Sequence, residues 1–192
     1  MKDLSLWLNE KLLELNGTNS MEVSDGFTRL SFSKEEAEAH NQFIKISNEL
    51  GLIINEDLAG NKWALWKVNE NAPTIALGSH LDTVPSGGGY DGVTGILCGL
   101  ATIKVLKDRG FKPSKNIAVI CFVSEESARF GISTIGSKAV AGLIKQGDLL
   151  KVKDINGVTV KDAMKDFGID FNHIEEAEIS NDQIERFIEI HI

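Results

Sequence analysis

Two short apolar runs with a long helix-forming stretch between them restrict the fold of this chain more than any other feature. "TIALGSH" lies between Pro73 and a glycine cluster, and "NIAVICFV" is apolar almost throughout. Runs of this length without polar alternation suit strands covered on both faces. The intervening "GVTGILCGLATIKVLKDRG" has helical spacing and closes on Lys107, Arg109 and Gly110, which suit a helix C-terminus. Strand, helix and strand in this form predict an α/β domain with at least partly parallel pairing.

The rest of the chain fills in around that unit. Leu4, Leu8, Leu12 and Leu15, with Trp7, predict an amphipathic helix over 3–16. Ser33, with Glu36 three residues on, has the pattern of a capping box, and the helix it opens should run to about Leu50 and stop at Gly51. "KWALWKV" reads as a strand, "STIGSKAVAGLI" and "VKDAMKDFG" as helices, and "RFIEIHI" as a third strand. A chain that stops inside an apolar strand is expected to be a fragment, because an isolated terminal strand frays.

Composition narrows the function classes. The 192 residues suffice for one domain with a core, and the formal net charge of −8 disfavours nucleic acid or an anionic membrane as partner. Cys98 and Cys121 sit in apolar runs and read as small buried hydrophobes, which suits a reducing, cytoplasmic setting. The N-terminal stretch carries Asp3, Glu10 and Glu14 and lacks the features of a signal peptide, and no apolar run approaches membrane-spanning length.

The chemistry gathers around "SHLDTVPSGGGYDG" (79–92). Gly87, Gly89 and Gly92 formally satisfy GxGxxG, yet Asp91 lies inside the motif, where it would repel a pyrophosphate, and the next acidic pair, Glu125 and Glu126, comes over thirty residues after Gly92 rather than about twenty on. No Gly-Lys-Ser/Thr follows, which excludes a Walker loop. The metal reading uses the same residues better. His80 ends one buried strand, and Asp82 can lie on its side of the chain and fix its ring through the second N–H. The glycines can return Asp91 to the strand ends. "FVSEES" delivers Glu125 and Glu126 to the same edge, and the third strand is expected to bring His191 there. Four crowded carboxylates repel unless cations neutralise them, and imidazole with carboxylate suits zinc, with cobalt, manganese or nickel as substitutes. Two divalent metal ions bridged by one carboxylate are the natural arrangement. His40 and His173, in polar surroundings, read as structural or surface residues.

"GSHLDTVPSGGGYDGVTGILCGL" together with "FVSEESARFGISTIGSKAVAG" resembles the N-carbamoyl-L-amino acid hydrolases. These stand beside allantoate and ureidoglycolate amidohydrolases in the dinuclear metal amidase branch of the aminoacylase and carboxypeptidase superfamily. "FTRLSFSKEEAEA" and "EDLAGNKWA" fit that branch, and the closing "IEIHI" is similar to the start of its "HIEQG" motif. The resemblance implies a three-layer, zinc-exopeptidase-like catalytic domain with a mixed, partly parallel sheet flanked by helices. It implies His80, Asp91 as the bridge, Glu126 and His191 as metal ligands, Glu125 as general acid/base and Asp82 as the partner of His80. The implied substrate is an N-carbamoyl or ureido acid; the alternatives are an aminoacylase or dipeptidase, and a metal-binding fragment without catalysis. The raised pKa that Glu125 needs is expected from burial and from Glu126. A non-proline cis peptide is expected at Asp91–Gly92. The intact enzyme is expected to be a homodimer. Residues 1–192 read as the N-terminal part of the catalytic domain, without the family's lid and dimerisation domain. Such a chain is expected to hold at most one tight zinc and to lack carbamoylase turnover.

Overall fold

The computed structural model describes residues 2–180 and 182–192. Helices α1 (Lys2–Leu15) and α2 (Lys34–Glu49) come first, followed by strands β1 (Ile53–Glu56), β2 (Lys62–Trp66) and β3 (Thr74–His80). Helix α3 (Val93–Asp108) leads to β4 (Asn116–Phe122), then to α4 (Ile135–Val140), α5 (Gln146–Leu149), α6 (Val160–Phe167), a 3-10 helix (Phe171–Ala177) and β5 (Ile184–Ile188).

These strands form one sheet in the order β1-β2-β4-β3-β5. β1 with β2 and β2 with β4 are antiparallel, whereas β3 runs parallel to both β4 and β5. The mixed sheet flanked by helices is the architecture that the two apolar runs and the resemblance implied. Every residue of β4 is buried. Its period of two sends Ile117, Val119 and Cys121 into the core beneath α1, α2 and α3, while Ala118, Ile120 and Phe122 pack on the opposite face with Val140. A further core, including Phe32, Val123, Ile135 and Met164, lies around α4, α6 and the 3-10 helix. Because β3 and β4 are parallel and in register at His80 and Phe122, their C-terminal ends deliver the next residues of both to one edge. That edge is where open α/β sheets place ligands.

Three local expectations change. The strand read in "RFIEIHI" ends at Ile188, and its pairing with β3 stops at Leu77. The tail then leaves the sheet to cross the first turn of α3, where a Cβ on Gly95 would lie 2.4 Å from the Ile190 carbonyl oxygen. The helix read in "STIGSKAVAGLI" is short, because Gly142 at φ +68° ends it. No cis peptide occurs among the described residues. The turn after Asp91 is made instead by Gly92 in the left-handed region, φ +65°.

Candidate metal centre

His80, the last residue of β3, is buried, and its orientation is set from behind. Nδ1 lies 3.0 Å from the Asp82 carbonyl oxygen and 3.3 Å from Asp82 Oδ1. A carbonyl only accepts, so Nδ1 carries a proton, and once the ring is neutral its lone pair is on Nε2. Gly92 packs closely on the ring: a Cβ there would lie 2.7 Å from His80 Cε1, 2.8 Å from its Nδ1 and 2.5 Å from the His80 carbonyl oxygen.

Asp82 is fully buried and joins the ends of the two central strands. Its carboxylate accepts the N–H groups of Glu125 at 3.1 Å and Glu126 at 2.9 Å, and the hydroxyl of Ser31 at 3.0 Å. Burial opposes its ionisation, yet His80 and these two N–H groups hold it below the usual carboxylate range. Burial likewise opposes charge on His80, but Asp82 and then Asp91 raise the ring to about 9.

Nε2 of His80 points towards Asp91, which the turn at Gly92 brings back to the strand ends. It lies 3.7 Å from Asp91 Oδ1, and Nε2 of His191 lies 3.6 Å from the same oxygen. One ligand atom from each of His80, Asp91 and His191 lies within 4.8 Å of the others. Those separations are too long for hydrogen bonds and suit three donors around one cation. Asp91 Oδ1 is buried and finds no hydrogen-bond partner among the described residues. A buried carboxylate oxygen with no donor is costly unless a cation takes the place of the donor, so these residues fit a divalent metal. His191 is held over the site although it lies beyond β5: its Nδ1 is 3.4 Å from Glu189 Oε1, which also accepts the Ser79 hydroxyl at 3.2 Å.

Glu126 stands outside this group of three. Burial raises its carboxyl, His80 lowers it, Asp91 and Asp82 raise it, and His191 lowers it, so it lies within electrostatic reach of the cluster. The Glu125 carboxylate turns towards α4, accepting the Ser137 N–H at 2.9 Å and the Ser137 hydroxyl at 2.8 Å. Burial is the main cause that lifts Glu125 to about 7, against the Ser137 donors, and the like charge that assists is Asp82 rather than the expected Glu126. His40 is fully buried against Phe167, and His173 is half-exposed beside Glu176; neither joins the cluster.

Sequence reasoning missed Ser31, Ser137 and the clamp formed by residues 27–31. Phe27 pairs with Gly87, and the Arg29 carbonyl accepts the Thr83 N–H at 2.7 Å, so this segment fastens the glycine loop along its length. Its signal was present in "FTRLSFS", whose polar residues interrupt an apolar pattern with no helical or strand period.

The profile of peptidase family M20/M25/M40 matches residues 76–192, the segment that holds all six candidate residues. The chain is 35% identical to an N-carbamoyl-L-amino acid amidohydrolase of Geobacillus stearothermophilus, over 97% of this chain and 45% of that one. It is 39% identical to a ureidoglycolate hydrolase of Oryza sativa subsp. japonica, over 86% of this chain and 35% of that one. A crystal structure of a hydantoinase/carbamoylase family amidase from Burkholderia ambifaria superposes with a TM-score of 0.84 at 27% identity, covering 100% of this chain and 46% of the other. The chain therefore spans less than half the length of the relatives it matches. Among the described residues no helix is long and apolar enough to cross a membrane.

Proposed function

The chain belongs to peptidase family M20/M25/M40, and from that premise we propose that it carries the cation-binding part of a metal-dependent amidohydrolase. Its substrates would be N-carbamoyl-L-amino acids or related ureido acids, cleaved at the carbamoyl C–N bond. The observation that carries this reading is Asp91 Oδ1, buried and without a donor, between the Nε2 atoms of His80 and His191. Two imidazoles and a carboxylate suit zinc, with manganese, cobalt or nickel as substitutes. The names of the similar proteins support the substrate class, since N-carbamoyl amino acids and ureidoglycolate share a ureido group.

In this reading His80, Asp91 and His191 would hold one cation, and Asp91 and Glu126 would help to hold a second. When bound, the cations polarise the scissile carbonyl and acidify a water. Glu125, with a pKa of about 7, is partly ionised at neutrality, so it can take a proton and later return one to the leaving nitrogen. Ser137 fixes the direction of that carboxylate, and Asp82 keeps the proton of His80 on Nδ1 so that Nε2 stays free to bind.

Zinc uptake by the chain, and ammonia release from N-carbamoyl-L-amino acids by the complete gene product, test the reading. Failure to take up zinc, cobalt or manganese would sink it. Faster release of acetate from N-acetyl amino acids than of ammonia from their carbamoyl counterparts would assign the aminoacylase alternative instead.

A further inference from the structure

Among the described residues no hydrogen bond or ion pair joins Glu36 to His80, Asp91 or His191, yet its side chain is wholly buried. Helical spacing explains the burial. Counting back from Phe43 and Ile46 along α2 places Glu36, Ala39 and His40 on the face turned to the core. A carboxylate in such a place needs donors, and both of its oxygens have one. Oε1 accepts the N–H of Ser124 at 2.8 Å, and Oε2 accepts the N–H of Phe32 at 2.5 Å. The capping box read from the sequence is therefore half formed: Ser33 caps the Glu36 N–H at 3.2 Å, but the Glu36 side chain goes elsewhere.

Both donors sit on residues in the left-handed region, Phe32 at φ +54° and Ser124 at φ +54°. Neither is glycine, so both turns are strained and persist because their surroundings hold them. Each turn adjoins residues that bind Asp82. Ser31, before Phe32, shares its one hydroxyl proton between Asp82 Oδ2 at 3.0 Å and the Glu126 carbonyl at 3.1 Å. Ser124 is followed by Glu125 and Glu126, whose N–H groups donate to Asp82. Arg129 secures the first turn through the carbonyls of Ser31 and Phe32, at 2.7 and 3.1 Å. The Glu36 carboxylate bonds to both turns.

Building on the metal reading above, we infer that Glu36 is a positioning residue: by accepting from Phe32 and Ser124 it sets the two strained turns that place Asp82, Glu125 and Glu126. It touches neither cation nor substrate and acts through its two neighbours. Glu36→Gln preserves volume but replaces one acceptor with an NH₂ group facing an N–H donor, so one turn loses its hold.

The test uses the 192-residue chain, with zinc affinity by calorimetry, cobalt(II) absorption spectra, and amide NMR signals of residues 124–126. Glu36→Gln is expected to weaken zinc by about tenfold or more, to alter the cobalt spectrum, and to move the Glu125 and Glu126 signals. Glu36→Asp, which keeps both acceptors, is expected to restore part of the affinity and the spectrum. Glu38→Gln, exposed on the same helix, is expected to change none of these. A folded Glu36→Gln chain with zinc affinity within about twofold of the parent and unmoved Glu125 and Glu126 signals overturns the inference. If the parent chain takes up no cation, the metal reading fails, and the Glu125 and Glu126 signals alone decide the role of Glu36. If Glu36→Gln does not fold, hydrogen exchange in the parent decides: Ser124 and Phe32 amides protected like those of β4 support the inference, and rapidly exchanging ones overturn it.

Discussion

His80 and Asp82 meet twice, through the Asp82 carbonyl at 3.0 Å and its carboxylate at 3.3 Å, both on the same ring nitrogen. The backbone contact fixes the tautomer, and the carboxylate sets the charge. Asp82→Asn keeps the first and removes the second. It also leaves the amides of Glu125 and Glu126 short of an acceptor, since one oxygen becomes an NH₂ group. We expect zinc affinity to fall by about 10–100-fold. Calorimetric titration of the variant beside the parent measures it, and equal affinities would remove Asp82 from the centre.

His80, Asp91 and His191 form one three-ligand cluster, so we expect one tightly bound zinc per chain. Without a cation the His80 ring is charged up to a pH of about 9, so zinc must displace a proton to bind. Apparent affinity is therefore expected to rise from pH 6 to pH 8. Titrations in buffers of different ionisation enthalpy should reveal the released proton. Asp91→Asn is expected to lower affinity at least about 100-fold, more than the loss of a supporting residue.

Glu125 makes stability depend on pH. Its pKa is raised in the folded chain to about 7 from an ordinary 4.5, so its contribution is fully present below 4.5 and is lost as pH rises through 7. The shift corresponds to about 3 kcal/mol across that window. His40 works in the opposite direction, since burial lowers it to about 3 and its contribution is lost as pH falls below about 6.5. The comparison that isolates Glu125 is therefore with Glu125→Gln. In metal-free buffer the parent should lose stability relative to the variant between pH 4.5 and 7.5. Parallel denaturation curves across that range would contradict the assignment.

Gly92 has little freedom to change. Its φ of +65° disfavours any side chain, and a Cβ would press on the ring and carbonyl of His80. We expect Gly92→Ala to cost about 1–3 kcal/mol in chemical denaturation and to weaken zinc binding through the displaced ring. Gly110 is also at positive φ, +69°, but a Cβ added there would meet no atom within 4 Å, so Gly110→Ala should carry the backbone cost and leave zinc binding unchanged.

The parts of this fold set by local pattern could be read from the residues alone. β3, α3 and β4 follow from apolar runs, and the cap at Ser33 from a serine three residues before an acid. The convergence of His80, Asp82 and Asp91 was legible because a single turn joins them. Ser31 was hidden, since its hydroxyl reaches an aspartate far along the chain and nothing local marks it. Ser137 was hidden for the same reason, and Glu36 was misread because its local capping role was the obvious one. The end of β5 was misplaced because "RFIEIHI" alternates to its last residue, while room for the tail over α3 is decided by Gly95.

The site draws its second imidazole from a tail that runs past the last strand, with the His191 side chain 49% exposed and the Asp91 side chain 31%. Residues 80 and 191 lie far apart along the chain, so a cation shared between them acts as a removable cross-link closing a long loop. Its lifetime on the protein is tied to the opening of that tail, because release of His191 leaves only two ligands. Cation exchange should accordingly be fast for this centre.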